Sequence, residues 1–463
     1  MENRGLDPVP DGERTGRVRS LLTTWATANM TVLLLTVGAG LTVLDGLNFW
    51  QVLAVGAVAP VLSFGLVGMV SVAGKRGGAP GMALSRAVFG QRGNLLPGAL
   101  VWVSRWGWES VNAVTGSYAL LAVLDLTLGV RRSSGAALVT LTAFVAAGFL
   151  VSGLGFRALR VSSRISACLF GAASLLVLAR LIATAPWAAL LARPPGEAAL
   201  VTAGIGTLAA GGISWAPSAP DFTRYLPRSA SAAALVGAAA GGALAVVLPL
   251  VTTGAVMAVA SPDLASARDP VSFVGDLLPR WIAVPYLLTA VVGMMLINSM
   301  SLYSAGFTAQ TLGFALPRAW AVGVNAAISL LLGGLLMVVA TSFLGTFLSF
   351  LTLLGVTFSA WIGVFGVDLL RGRTYDRVAL MDTGPGSGYW YTAGFSRPAV
   401  GAWAAGLVVG LLLTEVEWFS GPLASTRVGR DGLGWAVTVL VSGGLYAVLP
   451  RPADGTGGTP RGL

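Results

Sequence analysis

The chain has no histidine, a single cysteine and very few charges. Only 10% of its 463 residues are Asp, Glu, Lys or Arg, against about 25% in an ordinary globular domain. Without histidine, the commonest general base and a common zinc ligand are missing. With Cys168 alone, an intramolecular disulfide and a thiolate cluster are excluded. No phosphate-binding loop of the G-x-x-x-x-G-K-[ST] type occurs, so nothing in the chain points to ATP-driven work. The shortage of clustered acids and bases argues against an enzyme, and no cofactor is expected.

The chain is instead rich in apolar residues, at 55%, and its mean hydropathy is +0.79. Such a chain is a polytopic membrane protein. It must cross lipid as helices, because lipid satisfies no backbone hydrogen bond. Spans of about 20 residues are predicted at 22–43, 50–73, 95–124, 135–155, 164–191, 199–217, 233–260, 281–314, 319–341, 343–367, 399–418 and 434–450. Residues 1–20 are polar and carry four arginines without a cleavage signal, so they read as a cytoplasmic tail rather than a signal peptide. Residues 451–463 read as a second cytoplasmic tail, and their Gly/Pro-rich part 452–463 reads as disordered.

The net charge of +10 is explained by topology. With the N-terminus inside, the inner segments hold 20 Lys and Arg and the outer ones seven. That bias places both termini in the cytoplasm, and nucleic acid is not needed as a partner.

Polar groups inside spans are costly and mark function by default. The densest set lies on the third span: Arg105, Trp108, Glu109 and Asn112, with Gly116 on the same face. At 100° per residue the four polar positions fall within an arc of about 100°. Glu109 is the one acid expected deep in a span. Arg105, four residues earlier, is placed to pair with it. The pair reads either as a neutral structural ion pair or as a protonatable carboxylate whose partner changes during transport. Trp108 and Asn112 read either as a core tryptophan and a helix-bridging amide, or as a ring to stack on and an amide that reads a ligand edge.

Three further places carry polar or helix-breaking residues. The first span contains Trp25-Ala26-Thr27-Ala28-Asn29-Met30-Thr31, and the sixth contains Gly211-Gly212-Ile213-Ser214-Trp215-Ala216-Pro217. The eighth carries Asn298, Ser299, Ser301, Tyr303 and Ser304. Interrupted helices at matching places in two halves point to a transporter site. The first and sixth spans each open a half of five, and the third and eighth are each third in theirs. This suggests a 5+5 inverted repeat with two appended helices. Gly38-Ala39-Gly40 reads as close helix packing.

Several strings together resemble one family. The loop Gly77-Gly78-Ala79-Pro80-Gly81 through Gly90, the string Trp215-Ala216-Pro217-Ser218-Ala219-Pro220-Asp221-Phe222-Thr223-Arg224-Tyr225, the patch from Trp25 to Asn29 and the run Asn298 to Gly306 are similar to the nucleobase–cation symporter-1 family, the purine–cytosine permeases. The resemblance implies a LeuT-type fold, with repeats at about 21–191 and 199–367 and extra helices within 399–450. It implies alternating access and import of a small planar base such as cytosine with a coupling cation. Allantoin, hydantoin, uracil, a thiamine-pyrimidine precursor, or an amine or amino acid are the alternatives. The implied binding residues are Trp108, Asn112, Ser214, Trp215, Asn298 and Asn29. Sodium-coupled members carry adjacent hydroxyls just before the position resembling Asn298, whereas this chain has Leu296-Ile297. Hard cations prefer oxygen ligands, so the departure favours protons over sodium, with Glu109 and Arg105 as the coupling pair. No metal site is expected.

Overall fold

The computed structural model describes residues 5–152, 156–265, 269–314, 318–339 and 343–451. The predicted disorder of the C-terminal tail lies outside the described residues beyond Arg451. The described chain is almost wholly helical. Its first half contains α1 (Arg19–Ala28), α2 (Leu33–Val43), α3 (Phe49–Gly77), α4 (Gly81–Phe89), α5 (Leu95–Leu128), α6 (Ser134–Ser152), α7 (Phe156–Thr184), α8 (Trp187–Leu191) and α9 (Ala198–Ile213). There follow α10 (Ala219–Thr223), α11 (Ala232–Ala260), α12 (Pro270–Asp276), α13 (Arg280–Thr311), α14 (Arg318–Val339), α15 (Phe343–Leu370), α16 (Arg377–Met381), α17 (Arg397–Leu412), α18 (Arg427–Arg430) and α19 (Gly434–Val448). A two-residue hairpin, β1 (Glu415–Val416) with β2 (Phe419–Ser420), lies between α17 and α18.

Each predicted span falls on a helix or an interrupted helix. Six, including Ala198–Thr223 taken as one segment, are long and apolar enough to cross a membrane. The pair α1 and α2, bent by 64°, makes a seventh. Shorter apolar helices occupy the remaining predicted positions. Large apolar side chains such as Leu62, Val103, Leu331 and Leu440 point outward, as a lipid-facing surface requires.

Local chemistry sets the boundaries. Asn48 caps α3, its side chain accepting from Gln51 N while Gln51 returns a bond to the Asn48 amide. Gly78, at φ 70°, ends that helix in a left-handed conformation. Between α1 and α2 the chain leaves the helix at Asn29, whose Nδ2 donates to the Trp25 carbonyl (2.8 Å). Past α9, Pro217 and Pro220 cannot donate backbone bonds, and the chain continues as a 3-10 turn, Ala216–Ser218, into α10. Both interruptions fall where the sequence predicts them.

Helix α11 packs along α3 and α2, α13 along α5, and α15 along α19. At the α2–α11 crossing, Gly38 faces the Val251 carbonyl and Gly254 faces the Leu35 carbonyl, with no room for a β-carbon at either. The packing reading of Gly38 therefore holds. Gly38→Val is expected to cost more than the roughly 1–3 kcal/mol typical of overpacking, because the obstacle is backbone. A fall in melting temperature in detergent checks it, with Gly65→Val as control, where a β-carbon meets open space.

Two elements differ from the sequence reading. The loop at 77–90 contains α4, a buried helix whose first amide, Gly81 N, is capped by Asp221 Oδ1 (2.8 Å). Asp221 is itself buried on the interrupted sixth segment, and Asp368 is buried on α15. Burial of an acid is thus not confined to Glu109, although these two lie at the ends of their segments, next to Thr223 and Leu370. Asp221 is held by Gly81 N and Ser304 Oγ (2.6 Å). Asp368 is held by Arg373 at 2.5 Å and by the Tyr446 hydroxyl at 2.8 Å. Both are satisfied as buried charges must be.

The polar N-terminal stretch also has a defined place. Val9 N donates to Gly78 O (2.8 Å), Gly16 N to Tyr225 O (2.9 Å), and Arg224 Nη1 to Gly5 O (2.9 Å). Asp11 meets Arg228 (3.0 Å), Arg14 (3.3 Å) and Arg377 (3.8 Å). Residues 5–18 therefore strap the ends of α3, α10 and α16 together. The hydrogen bond from Arg228, helped by the field of Arg14, holds the Asp11 carboxyl below its ordinary range. A lowered carboxyl strengthens docking above its ordinary value and loses that contribution as pH falls through the lowered one. The protection of the Val9 and Gly16 amides, relative to intrinsic exchange at the same pH, is expected to fall several-fold at acidic pH, and already at neutral pH in Asp11→Asn. Equal protection in wild type and variant would contradict this.

Candidate functional site

The two interrupted helices, α5, α13, α11 and α15 enclose a cavity of about 730 Å³ counted out to its mouth. Asn29 and Thr31 line it from the first interruption, and Gly211, Gly212 and Trp215 from the second. Trp108 and Asn112 line it from α5, Ile297 and Ser301 from α13, and Phe347 and Leu351 from α15. The wall is mostly apolar with a few placed polar groups, the usual composition of a small-molecule site.

Trp108 is fixed on two sides. Its Nε1 donates to Ser214 Oγ (3.0 Å). Its ring meets Phe347 and Phe350 edge-on, with centroids 6.0 and 5.6 Å apart. Trp215 is held by Trp25 and Phe222, at 6.1 and 6.4 Å. Both indoles are thereby set in the wall before any ligand arrives. Ser214 Oγ passes its own hydrogen to Gly211 O (2.6 Å), which leaves its lone pairs for Trp108.

The amide of Asn112 is oriented by a chain of bonds. The Glu109 carbonyl is an acceptor and takes a hydrogen from Asn298 Nδ2 (3.2 Å). Asn298 Oδ1 then accepts from Asn112 Nδ2 (3.0 Å). The flip of both amides follows from the backbone carbonyl at the chain's end. Asn112 Oδ1 is left to accept a hydrogen from whatever occupies the cavity.

Of the six residues predicted to bind ligand, Trp108, Asn112, Trp215 and Asn29 line the cavity. Ser214 and Asn298 sit one layer back, where they hold Trp108 and Asn112. The direct Arg105–Glu109 pair is not formed. Arg105 Nη2 donates to Ser214 O (2.5 Å), and its guanidinium lies 5.0 Å from the Trp215 ring centre. The reason is the end of α9, whose last carbonyls lack helical partners and attract a cation. Glu109 turns the other way. Its Oε1 accepts from Ser301 Oγ (3.3 Å), while its buried Oε2 has no partner. Sequence reasoning missed Phe347, Leu351 and the special place of Ser301. The aromatic and leucine of α15 carry no polar signal, and Ser301 differs from Ser299 and Ser304 only in helical phase.

With this geometry in place, comparison with known proteins is informative. Residues 8–431 match the sequence model of a family described as permeases for cytosine/purines, uracil, thiamine and allantoin. A putative purine-cytosine permease of Bacillus subtilis (strain 168), YxlA, is 26% identical over 98% of this chain and 96% of its own length. Among solved structures, Mhp1, a nucleobase–cation symport-1 family transporter, is similar in fold. Its closed conformation with bromovinylhydantoin bound gives a TM-score of 0.77 at 18% identity, covering 96% of this chain and 94% of that one. Its inward-facing conformation gives 0.74 at 19%, covering 96% and 93%. A cavity walled by two interrupted helices, a helical Mhp1-type transporter fold and a family match over nearly the whole length lead to one conclusion: the chain is a multi-pass membrane transporter, not an enzyme, and belongs to the cytosine/purine permease family.

Proposed function

We propose that the protein imports a purine or pyrimidine nucleobase such as cytosine by proton symport. The observation that carries this reading is the pairing of Trp108 with the oriented amide of Asn112 on one wall of the cavity. A flat heterocycle lies against the indole, and its N–H edge is read by Asn112 Oδ1. Trp215 closes the opposite wall. YxlA, a putative purine-cytosine permease, and the bromovinylhydantoin complex of Mhp1 agree with a planar amide ligand. Allantoin, hydantoin, uracil and thiamine-pyrimidine precursors share that edge. An amine or amino acid is disfavoured, since among the described residues lining the cavity there is no Asp or Glu to meet an ammonium.

Proton coupling is favoured over sodium by the buried aliphatic pair Leu296 and Ile297 on α13, where hydroxyl ligands would be needed. Glu109, with one carboxyl oxygen unpartnered, supplies the titrating group, and Arg105 supplies a field beside it. The chain crosses the cell membrane twelve times as one domain, residues 21–450. Its 5+5 inverted repeat carries interruptions in the first and sixth segments, and both termini are cytoplasmic. The matched positions of the two interruptions and the 20-to-7 charge bias support that arrangement.

Tryptophan fluorescence titration of the purified protein with cytosine, adenine, hypoxanthine, uracil and allantoin tests the substrate class. Saturable quenching by a base that is reduced in Trp108→Phe and in Trp215→Phe supports it. Quenching by an amine alone would move the substrate class elsewhere.

A further inference from the structure

Behind the substrate cavity lies a second one, of about 390 Å³ counted to its mouth, between α5, α6, α13 and α14. Its wall carries Glu109, Asn298, Ser299, Asn325 and Ser329 among apolar groups such as Phe149. Both cavities reach the same short hydrogen-bonded link. Ser301 lines the first cavity, and its hydroxyl donates to Glu109 Oε1. Glu109 lines the second, and its Oε2 is buried without a partner. A buried carboxyl oxygen left unsatisfied beside a hollow with amides and hydroxyls in its wall marks a place for water.

We infer that the second cavity is the proton port of the transporter, and that Ser301 and Glu109 pass the proton between it and the substrate cavity. This rests on the proton-symport reading above. The transfer balances as follows. A hydronium in the substrate cavity gives its proton to a lone pair of Ser301 Oγ while the Ser301 hydrogen moves to Glu109 Oε1. Ser301 is unchanged, the water is left neutral, and the carboxylate becomes a neutral carboxyl. Rotation about the Cγ–Cδ bond turns the O–H toward the second cavity. Water there takes the proton as hydronium, and the carboxylate is restored.

The electrostatic surroundings suit a single shuttling proton. Arg105, on the same helix, is the charged group whose field reaches Glu109. Asp221 on α10 faces Arg105 in turn. From α13 and α14 the facing groups are neutral amides and hydroxyls, and from α6 they are apolar. A proton arriving at Glu109 therefore changes the net charge of the α5–α13 contact by one, with no second carboxylate among the described residues of that cavity to absorb the change.

The test uses the full chain in proteoliposomes, with labelled cytosine, or whichever base binds, and a pH-sensitive dye inside. Ser329→Leu fills the second cavity from α14 without touching the substrate cavity. Counterflow exchange of the base is expected within about twofold of wild type, while accumulation driven by a pH gradient falls at least tenfold. Wild-type accumulation in Ser329→Leu would overturn the port. Accumulation by wild type with sodium and not with protons would overturn the port together with the symport reading. Should Ser329→Leu not fold, modification of Glu109 by dicyclohexylcarbodiimide in Ser329→Ala and Ser299→Ala, read by mass spectrometry, decides the matter. Slower labelling than wild type supports a wet port that those hydroxyls maintain, and unchanged labelling in both overturns it.

Discussion

Replacing Trp108 with alanine is expected to weaken binding of the transported base at least tenfold. The indole is the one large ring that both lines the cavity from α5 and is pinned by a hydrogen bond, to Ser214. A stacked aromatic contributes on the order of 1 kcal/mol beyond the area it buries. The buried area adds more, at about 25 cal/mol per Å², so a loss above 1.4 kcal/mol, or tenfold, follows. Trp108→Phe keeps a ring but loses the bond to Ser214, and an intermediate loss is expected. Trp106→Ala is the control. That indole lies two residues away, donates to Asn325 Oδ1 (2.9 Å) and points from the cavity toward α14. Equilibrium binding of labelled base measures all three. Equal losses for Trp106→Ala and Trp108→Ala would mean that α5 had been disturbed as a whole.

Glu109→Gln is expected to abolish accumulation against a gradient while leaving exchange of base across the membrane. Glutamine has nearly the same shape, and its Oε1 still accepts from Ser301. What it lacks is a proton to take up and release. A symporter without its titrating group equilibrates its substrate instead of concentrating it. The accumulation ratio under an imposed pH gradient should fall toward one, a loss of up to about tenfold for a gradient of one pH unit and about a hundredfold for two, with one proton per base. Unaltered proton-driven uptake in Glu109→Gln would remove this residue from the coupling mechanism. The absence of an Arg105–Glu109 bridge in this conformation sharpens the expectation. Glu109 is held by a neutral hydroxyl, and Arg105 is committed to Ser214 and Trp215. The carboxylate is therefore not locked in its charged form by a direct partner.

How much of this was legible in the sequence depends on the kind of signal. The spans were legible because lipid demands long apolar runs, and the interruptions because Asn29 and Pro217 mark helix breaks by known chemistry, whereas Gly211 and Gly212 stay within α9. The α5 stripe was legible because helical phase places Arg105, Trp108, Glu109 and Asn112 together. What phase cannot show is which neighbour each side chain chooses. Arg105 lies one turn from Glu109, yet a free carbonyl on another segment takes it. Asn298 and Ser214 lie one layer behind the cavity wall, because an amide or hydroxyl in the wall and one that orients it look alike in a sequence. Helix α4 and the docked strap were invisible as structure. Their polar and glycine-rich sequences resemble loops, and only tertiary bonds from Asp221 and Arg14 give them form.

The most direct test of the account is cytosine uptake into proteoliposomes with no sodium present and a proton gradient imposed, inside alkaline. The account predicts uphill accumulation that collapses when a protonophore is added and that is absent in Trp108→Ala. Accumulation that requires sodium and ignores the protonophore would contradict it, and would place a cation at a site other than the one where Leu296 and Ile297 stand.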